Sequence, residues 1–209
     1  MSDMLPYLEM NENEPHGAPP HPKPWPDGPQ YDAELLASGD ARNVEDKYRY
    51  WTVEAIKTDL DKQRHAFHIA VENLQHDFNI GTIVRSANAF NAGAVHIIGR
   101  RQWNKRGAMV TDRYLDVFYH ATAADFVVAM EGRQVVVVDN QEGAIELSKT
   151  ELPKNCVLVF GGEGPGVSQE LCRVADRMVA IEQFGSTRSV NVGVAAGIVM
   201  YEWLRRHAL

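Results

Sequence analysis

Cysteine is scarce in this chain, with Cys156 and Cys172 the only two among 209 residues. Two thiols cannot build a disulfide framework, and their separation is not that of a metal-binding pair. Cys156 opens an apolar run and Cys172 falls within a predicted helix, so packing is the expected role of both. Long apolar runs are missing too: none approaches the roughly 20 residues that a membrane-spanning helix needs. The N-terminus is acidic and proline-rich, without the basic and apolar stretches of a secretory signal. These absences lead us to expect a cytoplasmic protein with neither a membrane nor a metal partner. An excess of positive charge is also absent, since the net charge is −7. That argues at first against nucleic acid, but affinity for phosphate follows local charge rather than the sum. Glu9, Glu12, Glu14, Asp27, Asp32 and Glu34 place much of the acid early in the chain. Residues 100–113 instead carry Arg100, Arg101, Lys105, Arg106 and Arg113 against the single acid Asp112.

What is present is an ordinary globular balance, 44% apolar and 23% charged, able to support a substantial core. Residues 1–45 hold most of the prolines, including the run at 19–26, and read as a flexible, extended arm. Residues 46–63 place Tyr48, Trp51, Ala55, Ile56 and Leu60 at helical spacing and predict a linker helix. From 64 to 209, short β-rich runs alternate with helical patterns. Strands are predicted at 67–71, 94–98, 134–138, 156–160 and 178–181, and helices at 80–91, 123–131, 167–174 and 189–206. This alternation means an α/β domain around a mostly parallel sheet. Such a fold hosts many unrelated functions, so local motifs must decide.

The first motif is the predicted helix beginning at Asn79. Ile80, Ile83, Val84, Ala87 and Phe90 share an apolar face, while Gly81, Arg85 and Asn88 lie on another. Glycine at Gly81 costs roughly 1 kcal/mol relative to alanine but permits close approach by a ligand or by backbone. In the second motif, the strand ending at Phe160 runs into Gly161, Gly162, Glu163, Gly164, Pro165 and Gly166. Glycines there let backbone amides approach a ligand in the crevice beyond the strand ends. The dinucleotide fingerprint and the P-loop ending are both missing. Glu163 would repel a pyrophosphate, so the expected ligand is neutral or cationic. The third motif runs from Ile181 and Gln183 through Ser189, Val190 and Asn191 into a helix apolar on nearly all sides, which must therefore be buried. Ser189 is a natural N-cap for it, and Gly193 and Gly197 would allow close helix packing. A structural cap network would account for Ser189 and Asn191 equally well.

Taken in order, the three motifs resemble the signature segments of the SPOUT superfamily, specifically its TrmH-like RNA 2′-O-ribose methyltransferases. The resemblance spans about 67–204. It implies a deep C-terminal trefoil knot, a homodimer, S-adenosylmethionine as cofactor, and methylation of a ribose 2′-hydroxyl in transfer or ribosomal RNA. By the same resemblance Arg85 matches the catalytic arginine, Asn79 the asparagine before it, and Ser189 and Asn191 the polar pair of the last motif. The cofactor site maps to Phe160, Gly161, Glu163, Gly166, Ile181, Gln183 and Val190. Within this family the 100–113 segment becomes the expected RNA contact, Trp103 stacking on bases while Arg100, Arg101, Lys105, Arg106 and Arg113 meet phosphates. His65, His68, His96 and His120 show no ligand-like grouping in sequence and are expected to be structural. Base methylation, or an inactive RNA-binding relative, are the alternatives. A nucleotide-dependent oxidoreductase is disfavoured by the missing fingerprint.

Overall fold

The computed structural model describes residues 17–73, 79–162 and 164–209. The chain divides into two compact units, one ending at Ile56 and one running from Lys57 to Leu209. In the first, helix α1 (Ala33–Ser38) is capped by the Asp32 carboxylate, which accepts from the Glu34 and Leu35 amides. Of the flexible arm expected over 1–45, residues 1–16 lie outside the described residues, while residues 17–45 carry a capped helix and specific side-chain bonds. Asp40 is fully buried and accepts from the Arg42 guanidinium at 2.8 and 2.7 Å and from the Tyr50 amide at 2.9 Å. Burial by itself would raise this carboxyl, but Arg42 and the Tyr50 amide outweigh it and hold the pKa down at about 2. The Tyr50 hydroxyl donates to the Pro19 carbonyl, and Tyr31 bridges Trp51. Composition missed this because the order comes from one buried ion pair and its bonds, not from an apolar run. The predicted helix over 46–63 is also split, into a turn at Asp46–Tyr48 and helix α2 at Val53–Asp61. Tyr50, at φ 63°, takes the chain out of helical geometry between them.

The second unit is a three-layer α/β domain. In chain order it contains β1 (His68–Asn73), α3 (Asn79–Ala89), β2 (Val95–Gly99), β3 (Val117–His120), α4 (Ala123–Ala129), β4 (Gln134–Val138) and β5 (Ile145–Glu146). It is completed by β6 (Cys156–Phe160), α5 (Gln169–Val174), β7 (Arg177–Ala180) and α6 (Val192–His207). All seven strands are parallel, in the order β3-β2-β1-β6-β4-β7-β5. Because the central strands are covered on both faces, they read as continuous apolar runs rather than alternating ones. One face packs Ile69, Val71, Val136, Leu158 and Phe160 against α3 and α6. The other packs Ala70, Val137, Val157 and Val159 against α4 and α5. The edge strands β3 and β5 had no signal in the sequence, since their residues are largely exposed.

Three histidines far apart in sequence meet across β1, β2 and β3. His68 Nδ1 lies 2.9 Å from His96 Nε2, and His96 Nδ1 lies 2.8 Å from His120 Nε2, the rings stacked on their neighbours. Each bond needs one protonated and one bare nitrogen, so the row is satisfied when all three rings are neutral. Burial pushes His68 down to about 4, helped by Arg133 and opposed by Asp116. Burial, then the other two rings and Arg133, pushes His96 to about 3, and burial lowers His120 against Asp125. The folded state therefore binds fewer protons than the unfolded state below about pH 6.5. Stability should be full above that pH and fall as pH drops towards about 4. Urea midpoints at pH 7.5 and 5.0 will show the loss, and His96→Gln should flatten it. An unchanged slope in that variant would mean that other groups set the acid sensitivity.

Candidate active site

A cavity of about 760 Å³ opens where the C-terminal ends of β4 and β6 meet the chain entering α6. This is the crevice in which open α/β sheets bind ligands. The glycine-rich loop after β6 folds back on itself, Gly162 bridging Gly166. A side chain at Gly161 would lie 2.0 Å from the Gly166 carbonyl carbon, so only glycine permits the turn. Gly166 sits at φ 70°, with the Asp139 carboxylate 2.5 Å from where its Cβ would be.

Two carboxylates hold the end of this loop. Asp139, just after β4, accepts from the Val167 amide at 2.7 Å. Glu72, near the end of β1 and 4% exposed, accepts from the next amide, that of Ser168, at 2.8 Å. Asp139 also accepts from the Asn140 amide and from Gln141 Nε2, and Gln141 bonds the Val167 carbonyl. The loop is thus latched to the strand ends on both sides of β6. Ser168 in turn caps α5.

The third motif lines the cavity through Ile181, Gln183, Ser189, Val190 and Asn191. Asn140 and Gln183 both donate to the Arg188 carbonyl, which ties the exposed segment 184–188 to the chain just after β4. Phe184, within that segment, is 98% exposed. Asn191, not Ser189, is the N-cap of α6: its Oδ1 accepts from the Gly193 and Val194 amides. The Asn191 side-chain amide donates to Asn79 Oδ1 at 2.9 Å, joining the starts of α6 and α3. A Cβ on Gly193 would touch Thr82 on α3, whereas Gly197 faces open space. The α6 helix is not buried all round either, because Val194, Ile198 and Tyr201 are exposed.

The expected cofactor residues Phe160, Gly161, Gly166, Ile181, Gln183 and Val190 all line the cavity, as do Ser189 and Asn191. Glu163 lies outside the described residues. Arg85 is exposed on α3, is not on the cavity wall, and makes no side-chain hydrogen bond among the described residues. Val138, Val192 and Ala195 add apolar wall, and Asp139, Asn140 and Gln141 add polar wall. The last three were missed by sequence reading; their signal was an acid and two amides directly after an apolar strand.

The basic segment packs on the first turn of α3. A Cβ on Gly81 would strike the backbone of Ala108, Gly107 and Asn104, so the close approach that Gly81 allows is made by this loop. Asn73, fully buried at the end of β1, donates to the Arg100 and Gln102 carbonyls and anchors the start of the loop. Arg100, Arg101, Lys105, Arg106 and Arg113 are exposed. Lys105 pairs with Asp112 at 2.6 Å, and the Arg101 guanidinium lies 4.9 Å from the Tyr119 ring centre. Trp103 does not present a stacking face: it is 8% exposed and joins the core against α3. The other large apolar side chains of the segment, Met109 and Val110, are exposed, so Trp103, with Ala108, is what packs the loop on the domain.

The SpoU rRNA Methylase family profile matches residues 66–201. The tRNA (guanosine(18)-2'-O)-methyltransferase of Escherichia coli (strain K12) is 24% identical over 152 residues, covering 70% of this chain and 66% of that protein. The protein of the same description from Aquifex aeolicus (strain VF5) is 27% identical over 154 residues, covering 70% of this chain and 72% of its own length. A solved structure described as "Structural insights into the 2-OH methylation of C/U34 on tRNA" superposes with a TM-score of 0.61 at 26% identity, covering 68% of this chain and 96% of that one. The chain spans just under two thirds of the Escherichia coli relative. With the family profile covering the sheet, the glycine-rich loop and most of the last helix, the chain belongs to the SpoU rRNA Methylase family.

Proposed function

We propose that this protein methylates a ribose 2′-hydroxyl of transfer or ribosomal RNA with S-adenosylmethionine, acting in the cytoplasm as a homodimer. The observation that carries the reading is the charge of the cavity wall. Among the described residues it holds no lysine, arginine or histidine, and Asp139 is its one charged side chain. A polyphosphate cofactor needs cations or free loop amides, and here two of the loop amides are taken by carboxylates. A cationic cofactor with an apolar base fits. Phe160, Ile181, Val192 and Ala195 can pack on the base, while Gly161 and Gly166 let backbone come close.

When bound, this cofactor supplies a methyl group already activated on a sulfonium, so the protein's task is to align an oxygen in line with it. A guanidinium at Arg85 is suited to stabilising negative charge on the ribose oxygen or gripping the adjacent phosphate, since arginine is a poor general base. Asn191, on the cavity wall, and Asn79 are bonded to each other and so join the starts of α6 and α3. The dimer reading is supported by the exposed apolar stripe of Val190, Val194, Ile198 and Tyr201, which a second copy would cover. Since Arg85 is off its own cavity wall, that copy would bring the arginine each cavity lacks. The trefoil knot is carried over from the family resemblance, and α6 is held in place by an earlier stretch of chain. Arg206 bonds the Thr150 and Leu147 carbonyls, Trp203 the Pro153 carbonyl, and His207 the Leu152 carbonyl.

The direct test is transfer of labelled methyl to separated transfer and ribosomal RNA, followed by alkaline hydrolysis. Label in alkali-resistant dinucleotides is expected; label in mononucleotides would move the reaction to a base and overturn the proposal. The basic loop offers a second check. Arg106→Ala should reduce the slope of log affinity against log salt by about one unit. Lys105→Ala should reduce it less, because Asp112 already neutralises Lys105. Equal slopes in wild type and Arg106→Ala would remove the loop from the RNA contact.

A further inference from the structure

We infer that Asp139 is a specificity-determining residue that makes the cavity prefer the positively charged cofactor over its uncharged-sulfur product. The inference rests on the cofactor assignment above and goes beyond it to the order in which ligands are held and released. In the transfer the sulfur–methyl bond breaks and an oxygen–methyl bond forms. The hydroxyl proton leaves to solvent, and the sulfur keeps its electron pair and loses its charge. Cofactor and product then differ by one methyl group and one positive charge. A methyl group alone gives a pocket little to discriminate with, so charge is the usable difference.

The described cavity wall offers one formal charge for that purpose. Its position is fixed by three donors, the Val167 amide, the Asn140 amide and Gln141 Nε2, and by the close packing of Gly166 against it. These bonds hold the Asp139 carboxylate in place without cancelling its charge, because each comes from a neutral group. Glu72 lies on the far side of the loop end, off the cavity wall, and reinforces the same sign from below. No cation on the described wall opposes them. A fixed negative charge in a partly dehydrated cleft acts on a cationic ligand more strongly than it would in water. Product, having lost its sulfonium, loses that part of the attraction and leaves sooner.

The test is calorimetric and needs no turnover. Dissociation constants are measured for S-adenosylmethionine, S-adenosylhomocysteine and an analogue carrying an ammonium in place of the sulfonium, using wild type and Asp139→Asn. Asparagine keeps an acceptor for the Val167 amide while removing the charge. We expect the preference for both cationic ligands over S-adenosylhomocysteine to fall by about three- to tenfold in Asp139→Asn. In wild type the same preference should shrink as salt rises, since screening weakens the attraction of the extra positive charge that only the two cationic ligands carry. Binding of all three by the variant with an unchanged ratio overturns the inference and leaves the cofactor assignment standing. Should the variant bind none of them, the wild-type salt series decides, and a ratio insensitive to salt overturns the inference. Failure of wild type to bind any of the three would remove the cofactor assignment and this inference with it.

Discussion

Replacing Arg85 by alanine is expected to lower methyl transfer at least about a hundredfold while leaving the affinity for S-adenosylmethionine within a few-fold. The separation follows from where the side chain sits. Arg85 projects from the exposed face of α3, whereas the helix is held by Ile80, Ile83, Val84 and Ala87 on its buried face. Truncation therefore leaves the core intact, and the cavity wall does not include Arg85. Cofactor titration and single-turnover transfer on the same preparation check both halves of the expectation. The dimer reading adds a sharper result. Arg85→Ala mixed with a variant unable to bind cofactor should regain about one quarter of wild-type activity, because half of random dimers are mixed and each then holds one complete site. No recovery on mixing would place Arg85 in the service of its own subunit.

Gly161→Ala is expected to abolish saturable cofactor binding. Its Cβ would lie 2.0 Å from the Gly166 carbonyl carbon, 2.2 Å from that oxygen and 2.3 Å from the Val167 nitrogen. All three are backbone atoms of the returning loop and cannot step aside as a side-chain tip can. The loop must open, and the Asp139 and Glu72 bonds to its last amides go with it. Overpacking of this kind costs about 1–3 kcal/mol, so the melting temperature should drop by several degrees while the domain stays folded. Gly164→Ala is the matched control, with no heavy atom within 4 Å of its Cβ position. At φ 96° it carries backbone strain alone and should bind cofactor much better than Gly161→Ala. Equal loss in both variants would mean that strain, not collision, governs the loop. The folded but cofactor-blind Gly161→Ala protein is also the natural partner for the mixing experiment.

Much of the sheet was legible beforehand. The strands at Gln134–Val138 and Cys156–Phe160 fall where the apolar runs placed them, and α3 and α4 agree within two residues at each end. These elements are buried against both layers or against the sheet, and burial writes itself into sequence as apolar periodicity. The edge strands, half exposed, left no such mark. The start of α6 was misplaced from Ser189 to Asn191 because both residue types cap helices, and only the hydrogen bonds to Gly193 and Val194 choose between them. Trp103 was misread because an aromatic among cations suits a base as well as a core, and the packing of the loop on α3 decides. His68, His96 and His120 looked scattered because strand register, not sequence distance, brings them into a row.

By itself the sequence determined the layered α/β domain, the glycine-rich loop after a buried strand and the three motifs that carry the family resemblance. Those properties are local: an apolar run, a turn that only glycine can make, a polar residue at a helix start. Tertiary structure alone decided that Asp139 and Glu72 latch the glycine-rich loop, that Asn79 meets Asn191, and that Arg85 stands off the wall of its own cavity. The physical reason is that hydrogen bonds between residues dozens of positions apart depend on which strands become neighbours. In this chain that order is β1-β6-β4, an arrangement that no stretch of local sequence encodes.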